Sequence, residues 1–154
     1  MLTELALNVN GRDHTVAARA DETLLQVLRD RLNLLSVREA CGVGMCGSCT
    51  VLVEGRPLSA CLLLAFQVEG KPLVTVEGLA RDGAPHPIQE AYLKASGFQC
   101  SFCTPGFILA TKALLEEFPD PTDDEIREYL AGNLCRCGSY VKILQAVKTA
   151  KERP

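Results

Sequence analysis

The amino-acid sequence predicts an α+β protein in two parts, with strands around one packed helix over residues 1–78 and four short helices over residues 79–154. Three observations carry this reading. Apolar residues alternate with polar ones between turn dipeptides in the first part. Helical periodicity and capping signals take over after Gly78. The eight cysteines fall into two sets of four, one in each part.

The elements follow in order. Leu5, Leu7 and Val9 alternate with polar or small residues and read as a strand. Asn10-Gly11 is a strong hairpin turn, and His14 to Ala18 reads as the returning strand. Asp21 or Thr23 is suited to cap a helix whose apolar face is Leu24, Leu28, Leu32 and Leu35. A glycine-rich loop runs from Cys41 to Cys49. Thr50 to Val53 reads as a strand, Glu54-Gly55 as a turn, Leu58 to Cys61 as a short strand and Leu73 to Val76 as the last one. Gly83-Ala84-Pro85-His86-Pro87 reads as a linker. Ile88 to Ala95 is helical in pattern. Thr104 as N-cap and Pro105 at the first helical position start a helix that runs to Phe118, where Pro119-Asp120-Pro121 stops it. Thr122-Asp123-Asp124-Glu125 is a capping box for a helix to about Leu130, ended by Gly132-Asn133. A last helix follows Tyr140 with Ile143, Leu144 and Val147 on one face.

Composition narrows the classes of function. Of the 154 residues 47% are apolar, which suits a packed chain. Two parts of this size have thin cores, and such units often need a metal or covalent staple. The net charge of −3 and the absence of a basic patch argue against a nucleic-acid partner. Met1-Leu2-Thr3-Glu4 lacks the basic segment and apolar run of a secretory signal, and apolar runs such as Ala60 to Phe66 are far too short to span a bilayer. The expected location is cytoplasmic, with no membrane association. There thiols stay reduced, and cysteine clusters more often bind metal than form disulfides.

The first set, Cys41, Cys46, Cys49 and Cys61, reads C-x4-C-x2-C-x11-C, and its first three members match the plant-type run for a [2Fe–2S] cluster. The second, Cys100, Cys103, Cys135 and Cys137, reads C-x2-C-x31-C-x-C. Four thiolates per site use every cysteine, which points to two [2Fe–2S] clusters and to electron transfer. Gly42, Gly44 and Gly47 lie between the first ligands, where glycine lets the backbone curl and aim N–H groups at sulfur. Such dipoles matter because the oxidised four-thiolate centre is formally a dianion and reduction adds another negative charge. Cys103 precedes one helix start and Cys135 and Cys137 precede another, so two positive helix ends face the second site. Two other readings stay open. Disulfides fit the even count but predict an exported chain. Structural zinc uses other spacings as a rule, and neither His14 nor His86 lies near a cysteine.

The run Cys41-Gly42-Val43-Gly44-Met45-Cys46-Gly47-Ser48-Cys49-Thr50-Val51, then Cys61, then Gln99-Cys100-Ser101-Phe102-Cys103-Thr104-Pro105-Gly106, then Gly132-Asn133-Leu134-Cys135-Arg136-Cys137, resembles the iron–sulfur small subunit of the xanthine oxidase family of molybdenum hydroxylases. The resemblance covers nearly the whole chain. It implies a β-grasp ferredoxin-like domain over residues 1–78 and a four-helix [2Fe–2S]-binding domain over residues 79–154. It implies no catalytic residue in this chain but an electron relay between a large subunit holding molybdopterin and a medium subunit holding FAD. The expected assembly is a hetero-oligomer such as a dimer of heterotrimers. The second set is then the one nearer molybdenum and the first the one nearer flavin, with Gln99 and Cys137 contacting the pterin. Arg136, between two ligands, is a candidate to offset cluster charge or to meet a partner subunit.

Three departures from the family pattern stand out. Ser101 occupies a position where glycine is usual, Gly138-Ser139-Tyr140 stands for Thr-Gly-Tyr, and Ala40 replaces a glycine before the first cysteine. Ser101 is expected to place a hydroxyl near the second cluster and so to bear on its potential. The competing reading is a free-standing two-cluster ferredoxin. A lone carrier has no need of the helical part.

Overall fold

Strands β1 (Leu2–Val9) and β2 (Arg12–Arg19) pair antiparallel in the computed structural model, which describes residues 1–152. Asn10 and Gly11 turn the hairpin with φ of 54° and 75°, the two left-handed residues a type I′ turn demands. Leu5, Leu7 and Val9 are buried, as their alternation predicts. Thr23 caps helix α1 (Leu24–Gln26) in a reciprocal box with Gln26. The helix widens into a π turn over Val27–Arg31, where the Leu32 N–H reaches the Val27 carbonyl at 3.3 Å. That turn breaks the 3.6 period, and Asn33, left-handed at φ 55°, ends the helix. The expected apolar face is corrected accordingly. Leu24 and Leu28 are fully buried, Leu32 and Leu34 pack at the edge of the core, and Leu35 is exposed.

A second hairpin joins β3 (Thr50–Val53) to β4 (Arg56–Ser59) through Glu54-Gly55, again with positive φ at both residues. The fourth strand thus lies two residues earlier than predicted, and Cys61 falls in the turn beyond it. Strand β5 (Pro72–Val74) runs parallel to β1 and antiparallel to β3, giving the sheet order β2-β1-β5-β3-β4. Every residue of β3 is buried, because both its faces are covered. Val51 and Val53 join the core with Leu5, Leu7 and Leu28, while Leu52 points into a second core with Phe107 and Leu114. One strand therefore carries both cores on its two sides.

Beyond Gly78 the chain folds into α2 (Pro87–Lys94), α3 (Thr104–Glu117), α4 (Asp123–Tyr129) and α5 (Tyr140–Lys151). The fold is α+β. Helix α3 is central to the second core, with Phe107, Leu109 and Leu114 buried and Thr111 bonded to the Tyr92 hydroxyl of α2 at 2.9 Å. Its N-cap is Cys103, with Thr104 the first helical residue, one position earlier than the capping pattern predicts. Thr122 and Glu125 form the expected capping box of α4. Ile143 and Val147 are buried on α5 and Leu144 is partly so. No helix among the described residues is long and apolar enough to cross a membrane.

His86 caps α2 with its ring, Nδ1 accepting from the Ile88 N–H at 3.2 Å. Only the neutral imidazole can accept there. Burial, then the Lys112 and Arg81 charges, hold its pKa below the usual 6.5. A depressed histidine pKa stabilises the fold above the unfolded-state value and loses that contribution as pH falls through 6.5 and below. Stability is expected to drop by about 1 kcal/mol on this account, the usual worth of an N-cap. Thermal unfolding of the wild type and of His86→Asn between pH 7.5 and 5 checks it. The asparagine cap should remove that part of the pH dependence, and identical profiles would refute it.

Candidate metal centres

The first cysteine set sits on the loop between α1 and β3 and on the turn after β4. The loop is closed at its base by the Arg38 N–H on the Ser48 carbonyl at 3.2 Å. Gly42, Gly44 and Gly47 have φ of 65°, 75° and 67°, so the chain curls through left-handed backbone at each. The curl turns N–H groups onto sulfur. Val43 N–H, the Cys46 thiol and Met45 N–H, the last at 3.3 Å, all act on the Cys41 sulfur and bring its pKa down to about 6. Cys49 is buried, and that burial pushes its thiol up to about 11 beside Cys61. The Cys46 thiol acts on Cys41, and both Cys61 and Cys46 act on Cys49.

The second set gathers at the N-termini of α3 and α5. Burial raises the Cys103 thiol to about 12, next to Cys135. Burial also acts to raise Cys135, but the Ser139 N–H, at 3.4 Å, and the Cys103 thiol outweigh it, and its pKa is lowered. Cys100 is lowered by the Phe102 N–H and by the Cys137 thiol. The pairs here are Cys103 with Cys135, inward, and Cys100 with Cys137, exposed at the surface. Tyr140, the first residue of α5, folds back so that its hydroxyl accepts from the Cys135 N–H at 2.9 Å, and its ring stands edge-on to Phe107.

Four cysteines in a set are the donors that would hold a [2Fe–2S] group. The surroundings of the second set fit an anionic, sulfur-rich group. A cavity of about 360 Å³ is lined by Cys100, Cys103, Cys135, Phe102 and, from the first loop, Cys46 and Ser48. Three buried polar atoms in this region have no hydrogen-bond partner, namely Thr104 Oγ1, Ser139 Oγ and Arg38 Nε. Thr104 and Ser139 adjoin or interact with cysteines of the set, and Arg38 lies over the Phe102 ring at 5.3 Å. Buried donors without acceptors are uncommon, and an inorganic sulfide or thiolate nearby would satisfy them. A second hollow, of about 370 Å³ and apolar, lies among Ile126, Leu130, Val141 and Leu144 and contains no thiol.

The two sets touch through backbone. The Leu134 N–H donates to the Cys46 carbonyl at 2.9 Å, linking a residue of the first set to the neighbour of Cys135. Beside it, Asn133 Nδ2 donates to the Gly47 carbonyl at 3.1 Å, which Thr50 Oγ1 also bonds at 2.7 Å. A Cβ on Gly47 would lie 2.4 Å from that amide nitrogen and 2.7 Å from the Gly132 carbonyl, so close approach requires glycine there.

Cysteines of each set act on one another's thiols, and among the described residues no group of three or more His, Cys, Asp or Glu is placed to hold a single metal ion. Gln99 is exposed beside Cys100, and its Nε2 donates to the Cys137 carbonyl at 3.2 Å, so Gln99 and Cys137 share one open face. Arg136 is exposed. Ser101 is exposed and left-handed at φ 63°, a backbone conformation that suits glycine better than serine. Ser139 is buried, and its side chain acts on the Cys135 thiol. Asn133, Arg38 and Thr104 escaped the sequence reading as site residues. Only their proximity in sequence to cysteines could have marked them.

Residues 7–79 match the family model described as a 2Fe-2S iron-sulfur cluster binding domain, and residues 75–148 match the one described as a [2Fe-2S] binding domain. The chain is 46% identical over 147 residues to the nicotinate dehydrogenase small FeS subunit of Eubacterium barkeri, covering 96% of this chain and 94% of that protein. Quinoline 2-oxidoreductase from Pseudomonas putida 86 aligns with a TM-score of 0.94 at 35% identity, over 98% of this chain and 94% of the matched one. The aldehyde oxidoreductase from Desulfovibrio desulfuricans ATCC 27774 aligns with a TM-score of 0.91 at 37% identity, over 96% of this chain but 17% of that longer one. With likeness of this extent in sequence and fold, the chain belongs to the iron–sulfur small subunits of the xanthine oxidase family of molybdenum hydroxylases.

Proposed function

We propose that this chain is the electron-transfer subunit of a molybdenum hydroxylase complex, holding two [2Fe–2S] clusters between a molybdopterin-bearing large subunit and an FAD-bearing medium subunit. The observation that carries the proposal is the mutual influence of cysteines within each set, together with the Leu134–Cys46 backbone bond that links the two loops. Cys41, Cys46, Cys49 and Cys61 hold one cluster on a β-grasp unit of residues 1–78. Cys100, Cys103, Cys135 and Cys137 hold the other on a four-helix unit of residues 79–154. A bound cluster supplies a one-electron carrier. The residues around it supply the counter-field: N–H groups of Val43, Met45, Phe102 and Ser139 aim at sulfur and offset negative charge.

Each site has an open side suited to a partner. Cys100, Cys137 and Gln99 share an exposed face, where the Gln99 amide and Cys137 meet the pterin of the large subunit. Val43, Met45 and Leu62 form an exposed apolar rim around the first site, on the side of the flavin subunit. Substrate oxidation belongs to the large subunit, in a cytoplasmic hetero-oligomer such as a dimer of heterotrimers.

Iron analysis and EPR of the anaerobically reduced protein, purified with whatever co-elutes, test the proposal. We expect about four irons per chain and two distinguishable [2Fe–2S] signals, together with larger chains carrying molybdenum and flavin. Zinc without iron would overturn it. Two clusters in a monodisperse chain that never associates would support the free ferredoxin instead.

A further inference from the structure

Ser139 precedes α5, and its hydroxyl is buried with no hydrogen-bond partner, the residue being 4% exposed. Serine at a helix start ordinarily caps it, accepting from an N–H of the first turn. Here φ and ψ are −74° and 18°, outside the extended region that capping uses, and no side-chain cap bond forms. The hydroxyl is therefore free of the one local role that would explain it. What lies beside it is sulfur. The Ser139 backbone N–H donates to Cys135 Sγ at 3.4 Å, and the Ser139 side chain also acts to lower the pKa of that thiol. A thiol is a weak acceptor. A metal-bound thiolate carries charge and open lone pairs, and accepts well. Cys135 is also on the inward pair of the second set, away from competing water.

We propose that Ser139 is a positioning residue for the second cluster, donating an O–H···S bond to Cys135 that raises the reduction potential of that centre. The inference rests on the cluster reading above. Reduction adds one electron to the centre and moves no proton. The added negative charge strengthens every donor bond to its sulfurs, so a donor favours the reduced state over the oxidised one. The effect should be greatest at the second set, to which Cys135 belongs.

The test is an anaerobic redox titration followed by EPR on the iron-loaded full chain, with any subunits that co-purify, for wild type, Ser139→Ala and Ser139→Gly. Both variants keep the backbone N–H; Ser139→Ala loses only the hydroxyl, and Ser139→Gly the whole side chain. Their second centre should be reduced less readily by about three- to tenfold in equilibrium constant, tenfold being about 59 mV for one electron. The first centre should not move. Pulsed EPR after exchange into heavy water should show one fewer exchangeable proton coupled to the second centre. Ser139→Thr, which restores a hydroxyl, should return the midpoint toward wild type if it loads iron. An unchanged midpoint and an unchanged proton coupling in fully loaded Ser139→Ala and Ser139→Gly would overturn the inference and leave the cluster reading intact. A wild type without two iron–sulfur signals would instead overturn the cluster reading, and the inference with it.

Discussion

Cys135→Ala is expected to remove one iron–sulfur centre and spare the other. Cys135 is buried, 6% exposed, and lies at the crossing of three supports: the Ser139 N–H on its sulfur, the Tyr140 hydroxyl on its own N–H, and the neighbouring Cys103 thiol. No other cysteine stands in reserve, because the chain has eight and the two proposed sets take them all. Iron should fall from about four to about two per chain, with one EPR signal lost and the other unshifted. Cys49→Ala should do the reverse. Its sulfur is the buried member of the first set, and burial pushes its thiol up to about 11. The pair of variants assigns each signal to its site. Retention of both signals in Cys135→Ala would remove this cysteine from the ligand set.

Gly106→Ala should cost the most stability of any single added methyl at the junction of the two parts. A Cβ there would lie 2.2 Å from the Gly47 carbonyl oxygen and 3.2 Å from Asn133 Nδ2. The first of these is backbone, already held by Thr50 N–H, Thr50 Oγ1 and Asn133 Nδ2, so it cannot swing aside. Helix α3 would have to retreat from the first loop and loosen its packing on β3. Overpacking of this kind costs about 1–3 kcal/mol. Loss of the Asn133 bond adds about 1 kcal/mol. Gly132→Ala is the control, since nothing lies within 4 Å of a Cβ at that position and its φ is not left-handed. Denaturant unfolding should show a lowered midpoint for Gly106→Ala and little change for Gly132→Ala. Equal stability of Gly106→Ala and wild type would mean that the junction yields freely.

Local chemistry was legible in advance. The alternation of Leu5, Leu7 and Val9, the dipeptides Asn10-Gly11 and Glu54-Gly55, and the Thr122–Glu125 box each depend on residues within one turn or one strand. Each appears where the pattern puts it. Misplacements came where a nearby choice had two physical solutions. The α1 pattern ran on to Leu35 because periodicity does not foresee a π turn, and Asn33 was not read as a stop. Thr104 looked like the better cap of α3, yet Cys103 holds that position, which turns the start of the helix toward the second set.

By itself the sequence determined the strand and helix pattern, the turn types, and the presence of two four-cysteine sets, because spacing and periodicity are properties of neighbouring residues. Tertiary structure alone decided which thiols pair, which face of each set is open, and how the sets meet. Asn133 and Gly47 are 86 residues apart, and they bond only because β3 carries one core on each of its faces and so sets the helices against the first cysteine loop. The isolation of the Ser139 hydroxyl beside Cys135 has the same origin. Whether a serine at a helix start caps, meets water or faces sulfur is settled by the way α5 packs, not by the residue type.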